Sequence, residues 1–235
     1  MDEEKIKRFW QERGRKYEKL SFESVANLEE DPENLKLKIR DEQKKVFSWF
    51  SPEDKAILDL GAGIGQWAFR FQERGAVKVD AVEYSESFIA IGMREADIRE
   101  ARGVNFIHSA AQDFQPSSTY DVIFISGLFV YLEDDNSERV IKNIRNGINE
   151  NSRIIVRDGT SIEQAYELNN VYSEHLDDYY SATYRTPEAY ISMFNKFDLE
   201  CLRHENMFPE GHPLNKYPET RLHLFEFAPN KIGET

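Results

Sequence analysis

The segment Gly61-Ala62-Gly63-Ile64-Gly65 lets the backbone approach a ligand closely, because glycines remove the Cβ atoms that would block it. The apolar run before it, Ile57-Leu58-Asp59-Leu60, reads as a strand. The glycine turn therefore stands at a strand's carboxyl end, where open α/β sheets bind ligands. Glu83 closes the next apolar run about twenty positions on, where a carboxylate accepts both hydroxyls of a ribose. A glycine turn alone also serves to pack a helix on a sheet; turn and acid together point to a nucleoside. A dinucleotide site wants Gly-x-Gly-x-x-Gly, which from Gly61 requires glycine at position 66, and that position holds Gln66. A nicotinamide oxidoreductase is thereby reduced to a lesser alternative.

Such turns need a parallel sheet to hold them. After Ser51-Pro52, short apolar runs alternate with amphipathic stretches, the signature of β-α-β units. The runs predict strands over Ala56 to Leu60, Val79 to Glu83, Val104 to Ile107, Asp121 to Ser126 and Arg153 to Asp158, each nearly continuous in apolar residues as buried parallel strands are. Helices are expected over Gly65 to Arg74, Ser85 to Arg102 and Asn136 to Ile148. A long polar, tyrosine-rich insert over about 159–185 leads to Thr186-Pro187-Glu188, a threonine cap with proline at the first helical position. Two last strands, around Leu199 to Met207 and Arg221 to Phe227, form a hairpin with a long loop. Ahead of the sheet, Ile6, Phe9, Trp10, Tyr17 and Leu20 recur at helical spacing, and Asp31-Pro32 opens a second helical segment running to Phe50. The expected fold is α/β: a doubly wound, mostly parallel seven-stranded sheet with an antiparallel last strand. Residues 1–50 form a helical cap and 51–235 the sheet domain.

Composition bounds the partners. The 235 residues suffice for one α/β domain with an accessory element, and 40% hydrophobic with 13% aromatic content excludes a disordered chain. A net charge of −13, from 43 acidic and 30 basic residues, repels phosphate backbones and anionic membrane surfaces, so no nucleic-acid partner is expected. Cys201 is the only cysteine, which rules out an internal disulfide or thiolate metal cluster and fits a reducing, cytoplasmic compartment. The charged Met1-Asp2-Glu3-Glu4-Lys5 start does not read as a secretory signal, and no run approaches the roughly 18 apolar residues of a membrane span, so no membrane insertion is expected. Nothing in the sequence specifies an oligomer.

Taken in order, four segments resemble the motifs of the class I, seven-stranded, S-adenosylmethionine-dependent methyltransferases. Ile57 to Gly65 looks like the family's first motif and Val79-Asp80-Ala81-Val82-Glu83-Tyr84-Ser85 like its second. Ala110-Ala111-Gln112-Asp113-Phe114 is similar to the turn after the third strand, and Tyr120 to Ser126 to the fourth strand. The resemblance spans roughly residues 54–229 and implies S-adenosylmethionine as cofactor. It places Asp59, Gly61, Ala62 and Gly63 around the methionine part, Glu83 on the ribose, Asp113 on the adenine amino group and Tyr84 or Phe88 over the adenine face. Gln112 and Ser126 would complete the cofactor's surroundings. Asp113 as a loop cap and Phe88 as a plain core residue remain open. Arg8 to Tyr17 and Tyr184-Arg185-Thr186-Pro187-Glu188-Ala189-Tyr190 resemble a narrower group acting in surface-polysaccharide and small-metabolite pathways. In that group the N-terminal helices and the insert close over the cofactor as a lid, which would set Tyr17 and the Tyr179 to Arg185 region beside the acceptor.

Methyl transfer from a sulfonium is an in-line displacement, so holding the acceptor near the methyl group is most of the task. An alcohol acceptor also has to lose a proton, to a base within hydrogen-bond reach or with the help of a metal. Asp158, closing the fifth strand, and His175, in the insert, are the candidate catalytic residues. Asp158 could equally contribute to a divalent metal site or cap the next helix, and no metal ligand set is assigned. His108 and His223 read as structural. Nucleic-acid amino methyltransferases carry an Asn/Asp-Pro-Pro-aromatic turn after the fourth strand, whereas this chain has Ser126-Gly127-Leu128-Phe129. The expected acceptor is therefore a small molecule, a sugar or a glycan end, methylated on oxygen or nitrogen. A protein that binds the cofactor for other chemistry, or a non-catalytic subunit, is the main alternative.

Overall fold

A computed structural model describes residues 3–15, 22–27, 29, 31–173 and 178–230. Three helices, α1 (Glu3–Arg15), α2 (Phe22–Asn27) and α3 (Pro32–Trp49), precede the first strand. They are followed by β1 (Ala56–Leu60), α4 (Gln66–Glu73), β2 (Lys78–Glu83), α5 (Glu86–Ile98), β3 (Val104–His108), β4 (Val122–Ser126), α6 (Asp134–Ile144) and β5 (Arg153–Ser161). After these come β6 (Tyr166–Ser173), β7 (Asp178–Tyr184), α7 (Pro187–Asn195), β8 (Leu199–Asn206) and β9 (Thr220–Pro229). Seven strands form one sheet in the order β3-β2-β1-β4-β5-β9-β8. The five strands from β3 to β5 run parallel, and β9 pairs antiparallel with both β5 and β8. The chain winds outward from β1 to β3, then returns to β4 on the other side of β1. The β1/β4 boundary is thus the switch point at which such sheets leave a crevice at their carboxyl edge.

The central strands are buried on both faces, which their continuous apolar runs require. Leu58, Ile123, Val156 and Phe225 pack against α6 through Ile141, α7 through Tyr190 and the 3-10 turn after β4 through Phe129 on one face. Ile57, Val79, Phe124 and Ile155 pack against α3 and α4 through Val46, Trp67 and Phe71 on the other. A third cluster joins Ile6, Phe9 and Trp10 of α1 to Phe88 and Ile91 of α5, with Tyr131 and Tyr180 packed on it. Asp31 caps α3 by accepting from Asn34 N at 2.8 Å, and Thr186 caps α7 by accepting from Ala189 N at 3.2 Å.

The main departure from the sequence expectation lies in the insert. Its polar run is a β6–β7 hairpin with a bulge between Leu168 and Val171, where Asn170 takes φ +55°. Most of β6 is exposed, so its side chains show no apolar alternation of the kind that betrays a half-buried strand. β5 runs three residues past Asp158 because β9 pairs with it as far as Ser161↔Thr220. α5 stops at Ile98, short of Arg102, and Glu100 adopts φ +53° just beyond it.

Candidate active site

Above the switch point lies a cavity of about 410 Å³, walled by the Gly61–Gly63 turn, the ends of β2, β4 and β5, helix α1, the β6–β7 hairpin and the 208–222 segment. Gly61 (φ +77°) and Gly63 (φ +59°) occupy left-handed conformations that side chains disfavour, and a Cβ at Gly61 would stand 3.3 Å from Leu128 Cδ1. The Gly63 N–H donates to Glu83 Oε2 at 2.9 Å, and Ser85 N–H donates to Oε1 at 2.9 Å. Glu83 thus fastens the turn to the end of β2 while each oxygen keeps a lone pair for a ligand. Burial pushes its carboxyl up to about 6 against the opposing backbone N–H groups. Asp59 is buried on the cavity wall and its Oδ2 has no hydrogen-bond partner among the described residues. Burial raises its pKa to about 7, with the Glu83 carboxylate adding to the rise.

This geometry suits S-adenosylmethionine. The glycine cradle gives close backbone approach, Asp59 offers an unsatisfied acceptor to an ammonium, and Glu83 offers acceptors to ribose hydroxyls. Ala62, Tyr84, Phe88, Gln112 and Ser126 all line the same cavity. The Tyr84 hydroxyl is buried without a partner among the described residues. Ser126 accepts from Arg157 Nη1 at 2.9 Å, and Phe88 both faces the cavity and packs against Trp10. Asp113 is not on the cavity wall; it is exposed and accepts from Arg139 Nη2 at 2.6 Å. Tyr17 and His175 lie outside the described residues.

Asp158 sits inside β5 rather than at its end, fully buried on the cavity wall. It caps no helix. Its Oδ2 accepts from Phe129 N at 2.8 Å and its Oδ1 from Gly159 N at 2.9 Å, which ties β5 to the 3-10 turn after β4. Burial lifts its pKa to about 6, opposed by those two N–H groups and by Arg157 and Arg185. Beside it stand Tyr131, Tyr180 and Tyr184, with Tyr131 and Tyr180 hydroxyls 2.9 Å apart. Burial holds all three phenols far above their ordinary range, so they serve as neutral hydrogen-bonding groups at physiological pH. His108 is bonded to Tyr84 O at 2.8 Å, and His223, the register partner of Asp158 on β9, is bonded to His204 of the edge strand β8 at 3.0 Å; neither lines the cavity.

Sequence reasoning gave no site role to Gln66, Lys38, Arg157 or Lys216, all of which line the cavity. Gln66, which breaks the dinucleotide pattern, instead donates to Phe22 O (2.8 Å) and Glu23 O (2.9 Å), anchoring α2 to α4. Arg185, which the sequence reading set beside the acceptor, stands behind the wall instead: it donates to Phe129 O (2.7 Å), Leu132 O (2.7 Å) and Asp134, fixing the end of the hairpin to the 3-10 turn. Lys38, Arg157 and Lys216 also reach the wall, from elements far apart in sequence. An apolar or glycine signal marks none of them.

Residues 57–151 match the protein-family model described as Methyltransferase domain. Over 172 residues the chain is 27% identical to N-terminal Xaa-Pro-Lys N-methyltransferase 1 of Rattus norvegicus, covering 73% of this chain and 70% of that protein. The Danio rerio protein of the same name is 31% identical over 107 residues, 45% of this chain and 48% of its own length. Among solved structures, the DhpI–SAH complex superposes with a TM-score of 0.70 at 16% identity, covering 97% of both chains. The glycopeptide N-methyltransferase MtfA complexed with S-adenosyl-L-homocysteine gives 0.63 at 15% identity, over 80% of this chain and 88% of its own. The family-model match over residues 57–151, the nucleoside cradle and the relatives agree on an S-adenosylmethionine-dependent methyltransferase, built on the class I fold.

Proposed function

We propose that this enzyme methylates an oxygen or nitrogen of a small molecule, such as a sugar, a glycan end or a secondary metabolite, with Asp158 as the group that takes the acceptor's proton. The carrying observation is the single cavity that contains both the Gly61–Gly63 cradle and the buried Asp158, roofed by α1 and the hairpin tyrosines. S-adenosylmethionine, when bound, supplies a sulfonium-linked methyl group for in-line transfer. Asp158, with its pKa near 6, is ionised at neutral pH and basic enough to accept a proton. Tyr131, Tyr180 and Tyr184 orient the acceptor by hydrogen bonds and exclude water. Residues 1–50 and the 159–185 insert act as the lid over a catalytic unit formed by 51–235. The single cysteine, which leaves no internal disulfide, supports a reducing, cytoplasmic setting for the activity. The net charge and the Ser126-Gly127-Leu128-Phe129 turn argue against a nucleic-acid substrate.

A second reading, transfer to the α-amine of a protein N-terminus, draws on the named activity of the sequence relatives. Incubation with labelled S-adenosylmethionine and a panel of sugars, nucleotide-sugars, small phenols and an Xaa-Pro-Lys peptide separates the two by which product gains one methyl group. With the acceptor found, Asp158→Asn should lower turnover about 10²- to 10⁴-fold without changing S-adenosylhomocysteine affinity. His175→Ala is the parallel test of the other candidate base. Activity abolished by chelator and restored by magnesium would move Asp158 from base to metal ligand.

A further inference from the structure

The end of the cavity bounded by α3 and the 208–222 segment differs in charge from the cofactor end. Lys38 of α3 and Lys216 line it together with Arg157 and Arg221. Three of these cations are already matched. Arg157 pairs with Glu42, Lys216 Nζ stands 2.5 Å from Glu29 Oε2, and Arg221 stands 3.8 Å from Glu210. Lys38 is the surplus. Its ammonium donates to Asn27 O at 2.7 Å, and it forms no ion pair among the described residues. It is held where a bare charge is disfavoured: burial pushes its pKa down to about 8, and Arg157 and Lys216 press in the same direction against Glu42 and Glu29. The adjacent Arg157 is buried on the wall, and its Nε has no partner among the described residues. Unmatched cationic donors in a half-desolvated wall are stabilised when an anion enters, because the low local polarity strengthens the attraction. In a chain of net charge −13, such a positive end runs against the average field and is local to this cavity.

We propose that this end of the cavity is a subsite for a carboxylate borne by the methyl acceptor, with Lys38 as its principal partner and Arg157 Nε as the second donor. The proposal rests on the methyl-transfer reading and narrows its acceptor to an organic acid. One surplus positive charge balances one negative charge, which a carboxylate carries and a phosphate monoester exceeds at neutral pH. The same surplus opposes the lysine of an Xaa-Pro-Lys terminus.

The test acylates lysines with an N-hydroxysuccinimide ester in the protein saturated with S-adenosylhomocysteine and reads each site by mass spectrometry. Acetate, inorganic phosphate or chloride is present at matched ionic strength. Acetate should protect Lys38 by about fivefold over chloride and more than phosphate does, as occupancy of a specific site predicts. Lys36, exposed on the same helix and paired with Glu33 at 2.8 Å, should label equally in all three. Equal labelling of Lys38 in acetate and chloride overturns the subsite, and stronger protection by phosphate overturns its assignment to a carboxylate. Lys38→Met, which keeps the aliphatic stem, should weaken benzoate binding to the same complex by about tenfold or more, whereas Lys36→Met should not. Benzoate bound equally by Lys38→Met also overturns the subsite. Failure of the wild-type protein to bind S-adenosylhomocysteine would sink the methyl-transfer reading itself; binding without acetate protection sinks only the subsite.

Discussion

Asp59 and Glu83 stand 24 residues apart in sequence yet share one wall, and both are carboxyls that burial makes reluctant to ionise. A ligand ammonium opposite Asp59 needs its ionised form. S-adenosylhomocysteine affinity should therefore rise about tenfold from pH 6 to pH 8, following Asp59 through its pKa near 7 and levelling above it. Calorimetry across that range checks this, and a flat profile would remove Asp59 from the ammonium's side. Glu83→Ala should weaken the same binding by about 1.5 to 3 kcal/mol through loss of charge-assisted hydrogen bonds. The variant also frees the Gly63 N–H that Glu83 holds, so Glu83→Gln, retaining one acceptor, should lose less. These two acids were legible because strand-end position and residue type coincide. Asp113 lies off the cavity wall, exposed and paired with Arg139, 26 positions away, a position that the local motif does not reveal.

At the scale of elements, the cavity's roof is built from parts that cannot fold alone. α1 buries Ile6, Phe9 and Trp10 against α5, and Trp10 meets Tyr131 edge-on with ring centroids 5.4 Å apart. Tyr131 in turn touches Tyr180 of the hairpin, and Phe9 of α1 meets Tyr180 edge-on at 5.9 Å, so helix and hairpin share an aromatic cluster over the site. Such a roof has to open for ligand exchange. Amide hydrogen exchange in α1 and in β6–β7 should be faster than in β1, β4 and β5, and should slow when cofactor and acceptor bind. Trp10→Ala should leave the sheet's protection intact while speeding S-adenosylhomocysteine release by about tenfold, since truncating a buried tryptophan removes several kcal/mol of packing. Unchanged release in stopped-flow measurements would show that α1 does not gate the site. The helical period made α1 readable in advance. The hairpin was not, because its faces are largely polar and its partner is the tertiary cavity.

The whole molecule concentrates reluctant acids at one sheet edge, and that shapes its response to pH. Asp59, Glu83 and Asp158 have folded pKa values of about 7, 6 and 6, above those of unfolded carboxyls. The native state therefore holds more protons than the unfolded chain between about pH 4 and 7, and their contribution to stability is lost as pH rises through that window. His223, lowered to about 4, acts oppositely below about 6.5, but it is one group against three. The ligand-free protein should accordingly melt higher near pH 5 than near pH 7.5, by an amount equivalent to about 1–3 kcal/mol, and bound S-adenosylhomocysteine should narrow the gap by giving Asp59 and Glu83 partners. Scanning calorimetry with and without ligand decides this. By itself the sequence determined the α/β class, the strand and helix succession, and the nucleoside cradle, because apolar periodicity, glycine turns and strand-end acids are local signals. Only the tertiary structure decided which distant residues share the cavity. Lys38, Arg157 and Lys216 converge because α3 and the 208–222 segment pack beside β5, and the tyrosines of the hairpin meet Asp158 because β5 outruns its predicted end. Each of those side chains, read locally, looks like an ordinary solvated polar residue, and its role follows from burial and neighbours that no short window of sequence contains.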